Sequence, residues 1–158
     1  MVENAAGAAL LRPFVEHFVA PTPAEYAQLA AAVETHHLAK NTVLHHAGQV
    51  CQRVYFIHAG IARHYHGGPG MEGTTWFSFA GDLMTDLTSF LPQQPSHFNI
   101  MAVTDLHVSW LAHVALQELY ASSATWERFG RLVNEVYLLA LVERSLSLQF
   151  QSARERYE

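Results

Sequence analysis

Only one cysteine, Cys51, occurs among the 158 residues. That excludes an internal disulfide framework and any cluster needing several thiolates, and it favours a reducing compartment. A small buried apolar role is expected for Cys51. Basic residues are scarce as well: nine Lys and Arg stand against 14 Asp and Glu. No general positive field attracts phosphate backbones, so strong DNA binding by this chain alone is not expected. Nowhere do 18 apolar residues run together, which argues against a membrane span. The apolar stretch from Ala5 to Leu11 has no basic residue before it and runs into Arg12, Pro13 and Glu16, unlike a signal peptide. The expected location is cytoplasmic. No His-Glu-x-x-His, Gly-x-Ser-x-Gly, Walker loop or dinucleotide fingerprint occurs, so no catalytic site is expected.

Half of the residues are hydrophobic, enough to bury the core of one domain spanning 1–158. Helical spacing runs from about Ala8 to Val19 and from Pro23 to Val33. Thr22-Pro23-Ala24-Glu25 supplies an N-cap, a proline at the first helical position and a capping-box acid. N-terminal helices are therefore expected over about 8–37. From Leu38 to Leu111 the chain turns to short β-branched and aromatic runs broken by Gly48, Gly60, Gly67-Gly68-Pro69-Gly70, Gly81 and Pro92 to Pro95. This pattern predicts strands of about five to eight residues in a roll or sandwich. The clearest hairpin pairs Ile61–His66 with Thr74–Phe79. With Gly67 facing Gly73, His64 would lie opposite Trp76 and His66 opposite Thr74.

Helix returns over 112–158, as a short segment near Val114–Ala121, a Ser122-Ser123 break and a long helix from Thr125 to the end. In that helix Phe129, Leu132, Val136, Leu139, Glu143, Leu146 and Phe150 are spaced alternately three and four residues apart. This is a heptad seam with one polar interruption, and it predicts a homodimer through a two-chain coiled coil. The alternative is packing of the same helix on its own roll.

The segments Lys40-Asn41-Thr42-Val43-Leu44, His46 to Cys51 and Val54 to Arg63 resemble the first strands of the cyclic-nucleotide-binding domain of Crp/Fnr regulators. Thr74–Phe79 and Gly81-Asp82-Leu83 follow in the same order. The resemblance implies an α+β, mainly β domain. Its centre would be a double-stranded β-helix of jelly-roll or cupin-like form, flanked by N-terminal helices and a long dimerisation helix. It also implies a regulatory, effector-sensing function. Such regulators continue into a winged helix-turn-helix. This chain stops at Ser152 to Glu158, at what looks like the junction to that DNA reader.

In that family the phosphate-binding cassette reads roughly Gly-Glu-Leu, a short helix, then Arg-Ser/Thr-Ala. The glutamate binds a ribose hydroxyl, helix-start amides and the hydroxyl residue meet the phosphate, and the arginine grips it with charge-assisted bonds. The matching positions are Thr85 for the glycine, Asp86 for the glutamate, Leu87, Ser96 for the arginine, His97 for the Ser/Thr and Phe98 for the alanine. Ser96 cannot supply a positive fork. Losing such a bond costs about 2–5 kcal/mol, so cyclic nucleotide binding should weaken by about two orders of magnitude or more. Cyclic nucleotide is therefore disfavoured, no cofactor is expected, and the effector is open. A partly protonated His97 would offset part of the loss. Asp86 and Ser96 could equally cap a short helix or turn. Asn134 and Tyr137 on the long helix are polar candidates to reach a bound base.

Eleven histidines raise the alternative of a cupin-like metal site at His64, His66 and a third ligand such as His97. Its spacing is wrong for the Gly-x5-His-x-His-x3,4-Glu-x6-Gly motif of cupins. The paired His36-His37 and His45-His46 would point to opposite strand faces. A third reading is a ligand-free dimerisation or partner-binding module.

Overall fold

The computed structural model describes residues 2–67 and 70–150, with side chains over 7–67 and 70–146. In chain order the elements are α1 (Val2–Phe18), α2 (Pro23–Ala32), β1 (Glu34–Leu38), β2 (Val43–His45), β3 (Arg53–Ala59), β4 (Ala62–His66), β5 (Gly73–Ser78), β6 (Leu83–Met84), α3 (Leu87–Phe90), β7 (Asn99–Ala102), β8 (Leu106–Ala112), α4 (His113–Ser122) and α5 (Ala124–Phe150). The strands form two four-stranded antiparallel sheets, ordered β1-β8-β3-β6 and β2-β7-β4-β5.

Alternation puts every second strand residue on one face. Tyr55, Ile57, Leu106 and Val108 from the first sheet thus meet Ala62, Ile100 and Ala102 from the second in one buried core. The outer face of the first sheet offers Phe56 and Leu111 to a second core, where Leu11, Val15, Leu29, Val33, Leu119 and Trp126 tie the four longer helices together. Two glycines set the geometry of these layers. Gly60 turns β3 into β4 at φ +96°, and a Cβ there would lie 2.2 Å from the Asp105 carbonyl oxygen. Gly130 lets α5 approach α4 so closely that a Cβ would lie 2.2 Å from the Tyr120 hydroxyl.

The capping box forms: the Glu25 amide donates to Thr22 Oγ1 at 3.3 Å and the Thr22 amide to Glu25 Oε2 at 2.7 Å. The break between α4 and α5 falls at Ser123, whose hydroxyl accepts the Thr125 amide and donates to Glu25. One carboxylate thereby pins the start of α2 to the start of α5. Those donors, Ser123 foremost, hold its carboxyl down at about 2.

Four expectations require correction. Residues 34–37 are strand rather than helix, because Thr35 bonds Ser109 at 2.7 Å and His37 stacks on His107 of β8, giving a polar strand polar partners. Several strands are shorter than five residues: β2 has three, β6 two and β7 four. Between β4 and β5 the register shifts after the His64–Trp76 pair, so Tyr65 faces Thr74 and His66 faces Gly73. Thr75 is the extra, bulged residue that causes the slip. Finally, Phe129 turns into its own chain, edge-on to Phe14, Phe18 and Trp126, and so does not present a seam to another helix. Leu132 is half-buried, while Val136, Leu139 and Leu146 are exposed. The Phe150 side chain and residues 151–158 lie outside the described residues.

Candidate functional site

The cassette segment folds around one carboxylate. Asp86 caps α3: its Oδ1 accepts the Thr88 amide at 3.0 Å and the Thr88 hydroxyl at 2.7 Å. Its Oδ2 accepts the Ser96 hydroxyl, and that hydroxyl accepts the Phe98 amide at 2.9 Å. Both residues are nearly inaccessible, at 4% and 3% exposure. Burial opposes the charge on Asp86, but the Ser96 and Thr88 donors and nearby His64 outweigh it and hold the carboxyl below the usual range. Asp86 caps α3, as the capping alternative has it, and also bonds Ser96; three of its roughly four acceptor sites are thus filled, and its 4% exposure bars an incoming hydroxyl from the last without rearrangement.

The remaining predicted positions divide. Thr85 Oγ1 donates to the Arg53 carbonyl at 2.8 Å and lies 3.4 Å from Cys51 Sγ, a buried thiol. Leu87 lies beside them on the cavity wall, with Thr85 and Asp86. His97 is exposed and is not part of that wall. It does not stand in for the arginine. The alternative metal set also disperses: His64 is half-buried, His66 and His97 are exposed, and His66 stacks on Phe98. Among the described residues no group of three His, Cys, Asp or Glu is arranged to hold a metal ion.

A cavity of about 660 Å³ is lined by strands of both sheets and by residues of all five helices. Its walls are mainly aliphatic and aromatic, with Trp76, Leu83, Phe98, Val133 and Tyr137 prominent. Both long-helix candidates border it, although each side chain is already engaged: Asn134 Nδ2 donates to the Gly130 carbonyl at 2.8 Å and Tyr137 donates to the Leu83 carbonyl at 2.5 Å. Burial, aided by Asp82, pushes the Tyr137 phenol up to about 12.

Sequence reasoning missed three features at or near this cavity. His64 is buried enough for its pKa to fall, despite the Thr85 carbonyl and Asp86. A carbonyl only accepts, so Nε2 carries the proton directed to Thr85 at 3.2 Å. His45, 6% exposed, is likewise pushed down by burial. Arg144 of α5 lies over the Trp76 ring at 4.2 Å and donates to the bulged Thr75 carbonyl at 3.0 Å, tying the helix to the hairpin. Only the bulge, invisible in the residue pattern, aims that carbonyl outward.

The model of the cyclic nucleotide-binding domain family matches residues 35–123, more than half of the chain. The chain belongs to that family. Among solved structures, a cyclic nucleotide-binding domain from Methylobacillus flagellatus superposes with a TM-score of 0.73 at 14% identity, over 94% of this chain and 84% of that one. The Thermus thermophilus catabolite activator protein superposes at 0.64 with 18% identity, covering 81% of this chain and 59% of that protein. The sensor domain of the Pseudomonas aeruginosa transcriptional regulator DNR gives 0.62 at 14% identity, over 92% and 94%. This cyclic nucleotide-binding domain thus shares its fold with sensor domains of Crp/Fnr-type regulators, while spanning 59% of the catabolite activator protein. No curated protein sequence matches it. Among the described residues no helix is long and apolar enough to cross a membrane.

Proposed function

We propose that the chain is the effector-sensing and dimerisation domain of a Crp/Fnr-type transcription regulator, not an enzyme, and that it does not bind cyclic AMP in the usual way. The observation that carries this reading is the lining of the cavity: the roll with its cassette and α5 both contribute to it, together with α1, α2 and α4. A ligand there would touch the same helix whose far side exposes Leu138, Leu139, Val142 and Leu146. A second copy of α5 covers that side, with Leu139 and Leu146 of the heptad pattern at the seam, Leu132 at its half-buried end and Val136 at the edge shared with the cavity. The effector acts by binding one arrangement of the two helices more tightly than the other, since equal affinity for both shifts nothing. The acidic balance of the chain assigns it sensing and pairing rather than contact with DNA.

Sedimentation equilibrium tests the pairing. The expected result is a dimer that becomes a monomer in Leu139→Glu with its circular dichroism unchanged, because a buried unpaired carboxylate at a seam is costly. A monomer for the unaltered chain at high concentration would contradict the proposal. A dimer whose melting temperature responds to no small molecule would favour the ligand-free dimerisation module, the reading that the closed Asp86–Ser96 pair also suits.

A further inference from the structure

The cavity wall has a charge character that decides what it can hold. Among the described residues no Lys or Arg lines it, whereas two carboxylates, Asp82 and Asp86, do. Both already take donors from the protein: Asp82 accepts the Phe79 amide at 2.8 Å, and Asp86 accepts Thr88 and Ser96. The nearby arginines already have partners, and those of Arg144 and Arg53 are residues of the wall itself. Arg144 is drawn to Trp76 and the Thr75 carbonyl, Arg63 pairs with Glu72 at 2.6 Å, and Arg53 lies over the Trp110 ring at 4.8 Å. Burial lowers the pKa of the His64 imidazole, against the Thr85 carbonyl and Asp86. An anion entering this space loses its hydration and faces two acids, with no Lys or Arg among the described lining residues to bond it directly. The same walls offer a neutral molecule aliphatic and aromatic surface in a volume suited to a small ligand.

We infer that the effector of this domain is a neutral, predominantly apolar small molecule, held between the roll and α5 by Trp76, Phe98, Leu83 and Val133 in place of a phosphate-bearing nucleotide. The inference rests on the effector-sensing reading and adds the chemical class of the ligand. Chemistry of this kind needs no arginine in the cassette, so Ser96 is free to close on Asp86. The route from ligand to helix runs through Trp76 itself, because Arg144 of α5 rests on that ring.

The test uses the full chain and N-phenylnaphthylamine, a neutral dye whose fluorescence rises in apolar surroundings. The expected result is saturable binding, displaced by decanol at least ~30-fold better than by decanoate, because burying an unpaired carboxylate is heavily penalised. Cyclic AMP should not displace the dye. Val133→Phe, which fills the cavity from α5, should weaken dye binding at least ~tenfold, as removal of apolar contact area predicts. Leu91→Arg keeps the experiment decisive even if Val133→Phe does not fold, since Leu91 sits at the rim and is 58% exposed. It should raise decanoate affinity and leave decanol unchanged. Displacement by decanoate or cyclic AMP as effective as by decanol would overturn the ligand class while leaving a sensor domain in place. So would unchanged dye binding in folded Val133→Phe, or no saturable binding in a chain that sedimentation shows to be a dimer. Loss of the dimer itself bears on the proposed function instead.

Discussion

Replacing Ser96 with alanine removes one hydroxyl that serves two buried partners. Asp86 Oδ2 loses a charge-assisted donor, ordinarily worth about 1.5–3 kcal/mol, and the Phe98 amide loses its acceptor, at about 1–3 kcal/mol for a buried orphan. The two losses share a site into which water can relax, so their sum is an upper bound, and a destabilisation of about 2–4 kcal/mol at pH 7 follows. The effect depends on pH with a definite sign. Asp86 has a folded pKa below the ordinary aspartate value of 3.8. Its charge therefore contributes stability that is present above 3.8 and lost as the pH falls through the folded pKa. Ser96→Ala raises that folded pKa, so the penalty is largest at neutral pH and shrinks below about 3.8. Urea denaturation at pH 7 and pH 3, in the unaltered and Asp86→Asn backgrounds, measures it. In the Asp86→Asn background Ser96→Ala should cost about 1–2 kcal/mol less, the coupling expected of groups in direct contact. A loss under about 0.5 kcal/mol at pH 7, within the range of an unremarkable surface change, would refute the closed Asp86–Ser96 pair. So would the same loss in both backgrounds.

Other consequences follow from the packing and the histidines. Gly130→Ala drives a methyl into Tyr120 at the α4–α5 crossing. It should lower stability by about 1–3 kcal/mol, the usual cost of overpacking, and a rise or no change on thermal melting would show that the helices separate freely there. Burial, with His107 adjacent, lowers the His58 pKa from 6.5 to about 4, and His45, His64 and His107 shift in the same direction. A histidine with a depressed folded pKa is bound to protons more strongly in the unfolded chain, so stability rises with pH between about 4 and 6.5 and is fully present above that window. Thermal melts should fall steadily from pH 7 to pH 5, and His58→Gln, at the ring bonded to Ser109 at 2.7 Å, should flatten the slope. A melting temperature constant over that range would contradict the burial of these imidazoles.

How far the sequence foretold this molecule can be traced residue by residue. The Thr22 capping box and the Ser123 break depend on near neighbours, and both were legible. The turn at Gly60 was legible too, since glycine supplies the positive φ that other residues resist. Asp86 and Ser96 were located by order and spacing, and their possible capping role was visible, but their mutual bond joins positions ten apart across a loop with Pro92 and Pro95. Strand β1 was misread as helix because Glu34, Thr35, His36 and His37 carry little strand signal until β8 supplies partners. The seam was read from period alone, and period cannot tell which copy of the protein a helix face meets. Phe129 meets its own α1, whereas Leu139 is 63% exposed. The Thr75 bulge and the Arg144 contact it creates were out of reach, since a one-residue slip leaves composition and spacing unaltered.

Calorimetric titration of cyclic AMP into the purified dimer tests the central claim most directly, because that claim is a sensor fold whose site no longer grips a cyclic phosphate. The missing cassette arginine alone removes about 2–5 kcal/mol of binding, a loss of ~30-fold or more. Predicted is no saturable heat at concentrations of cyclic AMP up to about 30 μM, where only binding stronger than about −6 kcal/mol would register. Saturable binding near 1 μM, about −8 kcal/mol, would contradict the account.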